Sequence, residues 1–191
     1  MKNKHFNYCL TCKTKNCYHR NFGPKTDDCL EIDYKDVIKL MPTEAFLISK
    51  ANAATKKAFE RKVNDNFGVN WLMGFIKGFF GDKITVGIAS CLGSVDTAKG
   101  IIGILEAEGI KTALVTCKLG GLTIDNIDKD GKAYKHPGCN PIAQAKILNR
   151  LKVPVVVLVS LCIGHDMIFI KHCKSYVIPF ITKMPMGYGA V

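Results

Sequence analysis

At 191 residues, 48% of them hydrophobic and 23% charged, the chain has the makeup of a folded protein with one substantial core, which excludes wholesale disorder. No apolar run reaches the roughly 18 to 20 residues of a membrane span, and the opening "MKNKHFNYCLTCKTKNC" is too polar and cysteine-rich for a signal peptide, so a cytoplasmic location without membrane partners is expected. The net charge of +11 comes from lysines spread through every segment, with arginine only at Arg20, Arg61 and Arg150, whereas a nucleic-acid partner calls for a concentrated basic stripe and is not expected.

Residues 1–32 read as a loop-rich segment with Cys9, Cys12, Cys17 and Cys29 in the pattern C-x2-C-x4-C-x11-C. Too few apolar residues lie between these thiols to build a core, so the segment needs a staple or a neighbour. Disulfides are rare in the cytoplasm, and nine cysteines cannot all pair in any case, so the pattern points to a metal-binding knuckle. His5 and His19 are available substitutes for one cysteine.

Residues 33–191 read as an α/β domain. From Thr43, a candidate N-cap, "TEAFLISKANAATKKAFERKV" is helical, with Ala45, Ile48, Ala51, Ala54, Ala58 and Phe59 near one face. "NFGVNWLMGFIKGFFG" predicts a second helix with Trp71, Phe75 and Phe79 four apart, in which Gly74 and Gly78 cost helix propensity but permit close packing. "KITVGIASC" is a buried-type strand, followed by the helix "SVDTAKGIIGILEAEG", capped by Ser94 and closed by Gly109. "IKTALVTC" is the second strand. The polar loop "IDNIDKDGKAYKHPG" leads to the helix "CNPIAQAKILNRL", with Pro141 suited to its first turn and Asn140 just before it. "VPVVVLVSLC" is the third strand, "HDMIFIKHC" a short helix, "SYVIPFIT" a fourth strand, and "KMPMGYGAV" an irregular tail. Strands alternating with helices at this spacing imply a three-layer α/β fold: a mostly parallel sheet with helices on both faces, preceded by the small cysteine-rich loop segment.

The three best strands each end in cysteine followed closely by glycine: Cys91 in "ASCLG", Cys117 in "VTCKLGG" and Cys162 in "SLCIGHD". Carboxyl ends of parallel strands share one edge, and ligands sit in the crevice beyond it. Cys139 joins them from the loop before a helix whose amino terminus stabilises negative charge. Free cysteine is also a common core residue, but several converging on one edge favour ligation: Cys91, Cys117, Cys139 and Cys162 are expected to carry an iron–sulfur cluster, with zinc as the close alternative. At the same rim His165 and Asp166 are the candidate acid/base pair, Lys118 is placed to neutralise a bound anion or thiolate, and Gly164 lets the backbone approach a ligand.

"GIASCLG", "CKLGG", "CNPIAQAKILN" and "LCIGHDMIFIK" together resemble the domain of unknown function 1847 family of bacteria and archaea, whose members are generally labelled metal-binding. By position the resemblance carries the family's cysteines onto Cys9, Cys12, Cys17 and Cys29 in front and Cys91, Cys117, Cys139 and Cys162 in the domain, with Asn140, Gly164, His165 and Asp166 matching as well. The likeness runs to about residue 183, where Lys183 remains but the family's following Asp-Arg pair and later histidine do not. It implies metal binding and supplies no reaction. The function expected is a metal-binding protein acting in electron or sulfur transfer, with a redox or sulfur-transfer protein or a small molecule as partner. Two other readings fit the same residues. One is a cysteine-dependent enzyme without a rim metal, in which Cys162 or Cys139 is the nucleophile of sulfur carriage or hydrolysis. The other is a basic zinc-knuckle module that contacts RNA.

Overall fold

Apolar positions on the strand Val155–Cys162 decide the layering of the molecule, because both of its faces are covered. The structure, a computed structural model, describes residues 34–60, 67–122, 138–184 and 187–190. The leading cysteines, His5, His19 and the loop of residues 123–137 lie outside the described residues. The chain divides into two compact units, Met1–Ile48 and Ser49–Val191. Of the first, residues 34–48 are described, and they are helical.

Helix α1 spans Tyr34–Glu60, so it begins well before the expected Thr43 and runs through Pro42. Proline costs one backbone hydrogen bond inside a helix, and the helix-forming "KDVIKLM" and "TEAFLISKA" on either side outweigh that loss. Of its expected apolar face, Ala54 and Ala58 are buried while Ala45 and Ile48 are exposed. Helix α2 (Phe67–Phe80) buries Leu72, Met73 and Ile76 and stacks Trp71 on Phe75 and Phe75 on Phe79, with ring centroids 5.9 and 5.7 Å apart. A Cβ on Gly78 would stand 3.1 Å from both the Cα and the Cβ of Ala54, so the expected close packing is found at that glycine.

The sheet follows in strict alternation with helices: β1 (Thr85–Ser90), α3 (Val95–Ala107), β2 (Lys111–Thr116), α4 (Pro141–Arg150), β3 (Val155–Cys162), α5 (Ile163–His172) and β4 (Tyr176–Met184). Its strand order is β2-β1-β3-β4-β5, parallel from β2 to β4. The tail, expected to be irregular, instead contributes β5 (Gly187–Ala190), antiparallel to β4. The free edge of β4 offers unpaired backbone groups that this strand satisfies, and two glycines in four residues hide it from a reading by propensity.

Val155, Val157 and Val159 of β3 face a core shared with Leu72, Met73 and Ile76 of α2 and Ala98, Ile101 and Leu105 of α3. Val156 and Leu158 face the opposite core with Ala145 and Leu148 of α4 and Phe169 of α5. The result is a three-layer α/β fold with helices on both faces of a mostly parallel sheet. The chain leaves β1 toward β2 over one face and returns past β1 to β3 over the other, which makes the β1/β3 gap the topological switch point where such sheets bind ligands. Among the described residues no helix is long and apolar enough to cross a membrane.

Candidate functional site

Parallel register brings the first two thiols together. β1 and β2 pair from Thr85 with Lys111 to Ser90 with Thr116, so the next residue on each strand is a cysteine, and Cys91 stands level with Cys117. Cys91 lowers the pKa of the Cys117 thiol, whose sulfur accepts the Leu92 amide at 3.3 Å. The third arrives from the loop before α4. The Asn140 amide donates to the Cys117 carbonyl at 2.7 Å, tying the two backbones, and the Cys139 and Cys117 sulfurs form a thiol–thiol hydrogen bond at 3.6 Å. After β2 the chain turns through Gly120 and Gly121, whose φ angles of +85° and +60° suit only glycine well.

Cys162 does not join this group. The β1/β3 pairing places Ser90 opposite Val159, and the Cys91 amide donates to the Val159 carbonyl at 3.3 Å. The position on β3 level with Cys91 is therefore Ser160, and Cys162 lies further along the strand. Ser160 has φ +56° and sits in a β-bulge against β4. One extra residue reverses the alternation of a strand: Leu161, rather than residue 160, continues the Val156–Leu158 face. Cys162 thus falls on the opposite face from Cys117 and is exposed. Cys173 lies at the other end of α5.

Electrostatics divide the thiols from the residues around them. Burial pushes the Cys117 thiol up and the neighbouring Cys139 sulfur pushes the same way, against the Leu92 amide and the Cys91 thiol, which lower it. His165 is half-buried and held below its ordinary value by burial and by the charge of Lys118. Asp166 does not act as a surface cap. It is buried, its Oδ2 accepts the Thr182 hydroxyl at 3.0 Å, its Oδ1 has no hydrogen-bond partner, and burial raises its pKa to about 6 against the lowering effect of Thr182. Asn140 caps α4, its Oδ1 accepting the Ala143 amide at 2.9 Å. Gly164 is exposed, with open space where a Cβ would stand.

Gln144 was not among the sequence-derived candidates, and it connects the site. From α4 its side-chain amide donates to the carbonyls of Ser90, at 3.1 Å, and Val115, at 2.9 Å, bracing the strand ends that carry Cys91 and Cys117. Its Oε1 is buried without a hydrogen-bond partner. The signal was present in the sequence: Pro141, Gln144, Ala145 and Leu148 are the buried face of α4, so a polar residue occupies a core position at helical spacing. Ser160, a lone polar residue in "VVVLVSLC", is a second missed sign.

Among the described residues no group of three or more His, Cys, Asp or Glu side chains is placed to hold a metal ion as it stands. What the arrangement provides is a buried Cys117 sulfur in contact with Cys139 and bonded by the Leu92 amide, with Cys91 level with it on the neighbouring strand. The fold and this site define a three-layer α/β protein with a thiol cluster at the carboxyl edge of its parallel sheet. A family model described as a protein of unknown function (DUF1847) matches residues 41–180, and the chain belongs to that family. It is also 32% identical over 178 residues to the uncharacterized protein MJ0455 of Methanocaldococcus jannaschii, an alignment that covers 92% of this chain and 86% of that one. No solved structure matches the chain.

Proposed function

We propose that the carboxyl edge is a thiolate metal centre, in which Cys91, Cys117 and Cys139 bind one soft metal ion, zinc foremost, with a further position open to a small substrate or to a donor protein. The observation that carries this reading is the Cys117 sulfur in contact with that of Cys139 from a separate segment, with Cys91 level with Cys117 on the neighbouring strand. Two thiolates on one tetrahedral zinc, each about 2.3 Å from the metal, stand roughly 3.8 Å apart. The 3.6 Å between Cys117 and Cys139 fits that separation. Loading exchanges thiol protons for the ion, and the Leu92 amide, Lys118 and the amino terminus of α4 offset the negative charge of the thiolates. An open position suits sulfur transfer, with His165 as a candidate proton acceptor. A [4Fe–4S] cluster places each cysteine on a different iron, so the Cys117–Cys139 contact must open to admit it, whereas a [2Fe–2S] cluster takes two cysteines on one iron. The spacing of Cys9, Cys12, Cys17 and Cys29 supports a second, separate metal site.

Anaerobic purification followed by metal analysis and visible absorption tests the proposal. The expected result is a colourless protein whose zinc content falls by about one equivalent in Cys91→Ser or Cys117→Ser and is unchanged in Cys173→Ser. A brown protein with broad visible absorption that is lost in the same variants replaces zinc by a cluster. Metal content indifferent to the rim substitutions removes the reading.

A further inference from the structure

The separation of two of the rim thiols that suits a shared metal ion also suits a bond between them. Cys139 and Cys117 lie sulfur to sulfur at 3.6 Å, and the main-chain bond from the Asn140 amide to the Cys117 carbonyl fixes the backbones that carry them. A disulfide needs about 2.05 Å between sulfurs, so closure asks for a movement of roughly 1.5 Å, within the reach of two side-chain rotations. The two sulfurs also differ in access. Cys117 is 1% exposed, whereas Cys139 is half-buried at the head of α4. One sulfur can meet a reactant from outside while the other waits behind it.

We infer that Cys117 and Cys139 form a reversible dithiol–disulfide couple whose substrates are small-molecule or protein disulfides. The Cys139 sulfur, having given up its proton, attacks one sulfur of an incoming disulfide RSSR. The Cys139–SR bond forms, the RS–SR bond breaks, and the leaving thiolate takes up a proton to become RSH. The Cys117 thiol then loses its proton and attacks the Cys139 sulfur. The Cys117–Cys139 bond forms, the Cys139–SR bond breaks, and the second RSH departs with that proton. In sum the two protein thiols lose two electrons and two protons, and RSSR gains both. Run backward, the same steps reduce the protein disulfide at the expense of a dithiol.

The couple uses two of the sulfurs of the proposed metal centre and goes beyond that reading. It is separable from it because metal binding needs Cys91, whereas the disulfide does not. The test is titration of the full chain, stripped of metal under anaerobic conditions, with oxidised and reduced glutathione, followed by alkylation, trypsin digestion and mass spectrometry. Lysines between residues 117 and 139 put the two cysteines on separate peptides, so the bond appears as a cross-linked pair. The wild-type chain is expected to pass from almost none to a majority of that pair across the titration and to return on addition of dithiothreitol. Cys139→Ser abolishes the pair and Cys91→Ser keeps it. Free Cys117 and Cys139 at the most oxidising ratio overturn the inference, as does a cross-link that joins Cys117 chiefly to Cys91. The wild-type map needs no variant to fold. A protein that never binds metal at the rim but closes this bond refutes the metal centre alone, and a metal-loaded protein whose stripped form never closes it refutes the couple alone.

Discussion

The two edges of the sheet are built from the same strands and differ in almost everything else. Among the described residues every buried polar or charged side chain, namely Ser90, Ser94, Gln144, Ser160, Asp166 and Thr182, belongs to the carboxyl edge or to the helix ends that meet it. So do the unpartnered Gln144 Oε1 and Asp166 Oδ1. At the amino edge two open hollows of about 380 and 310 Å³ are lined by residues such as Glu106, Gly109, Lys111, Asp82 and Thr85. There the polar groups find partners at the surface: Thr112 donates to Glu106 at 2.6 Å and Lys77 to Glu108 at 2.9 Å. Volume and chemistry therefore part company. A buried polar group costs stability unless it is bonded, so a fold that gathers such groups at one edge has a use for them there, while a solvated hollow costs nothing to keep.

If that contrast is right, the largest effect comes from Gln144. Replacing it by methionine keeps most of the volume but removes the two donors that brace Ser90 and Val115. Each buried acceptor left unmet costs about 1 to 3 kcal/mol, and part of this is returned because Oε1 itself had no partner. A net loss of about 3 kcal/mol in urea denaturation is expected. The same variant should loosen the level placement of Cys91 and Cys117 and so slow formation of the Cys117–Cys139 cross-link. A loss under about 0.5 kcal/mol, the level of an ordinary surface change, would show that the strand ends hold themselves.

Asp166 sharpens the comparison with a gain instead of a loss. Its folded pKa of about 6 lies above the ordinary 3.8, so the native state holds the proton more tightly than the unfolded chain. Below about pH 3 both states are protonated and no penalty exists. As pH rises from about 4 to 6 the unfolded chain ionises first and stability falls, and above about pH 6 the deficit levels off at roughly 2 to 3 kcal/mol. Asp166→Asn removes the charge and leaves an oxygen for the Thr182 hydroxyl. The variant is expected to be more stable than the native chain by about 1 to 2 kcal/mol at pH 8 and no more stable at about pH 3, read from denaturation curves at both values. Equal gains at the two pH values would remove burial of charge as the cause.

How much of this was legible in the residues depends on what kind of signal each feature leaves. Cys91 and Cys117 could be brought together on paper because each ends an apolar run of a parallel sheet, and such a sheet has one carboxyl edge. Cys139 followed because Asn140 and Pro141 mark where a helix begins. Cys162 obeyed the same pattern and is nevertheless displaced, since the bulge at Ser160 leaves no composition signature beyond a single serine in an apolar strand. The start of α1 was hidden because Thr43 suits an N-cap, whereas the flanking sequence carries the helix through Pro42. Gln144 was overlooked for a different reason: its spacing marks it as inward-facing, but reading the helix for apolar residues passes over a polar one in a core position.

The smallest expected effect lies at the amino edge and decides whether the contrast is real. Lys77 and Glu108 form a salt bridge of 2.9 Å, with side chains 22% and 43% exposed. Water screens such a pair, and holding two long side chains in one geometry costs entropy, so exposed bridges contribute about 0 to 1 kcal/mol. Lys77→Met keeps the apolar stem of the side chain on α2 and removes only the charge. A loss of at most about 0.5 kcal/mol is expected, shrinking further as salt is raised. Because Glu108 closes α3 just before the turn at Gly109 (φ +80°), a larger loss would mean that this bridge fixes the α3–β2 turn. The amino edge would then carry organised polar structure of its own, and the concentration of such structure at the thiol-bearing edge would no longer distinguish a site.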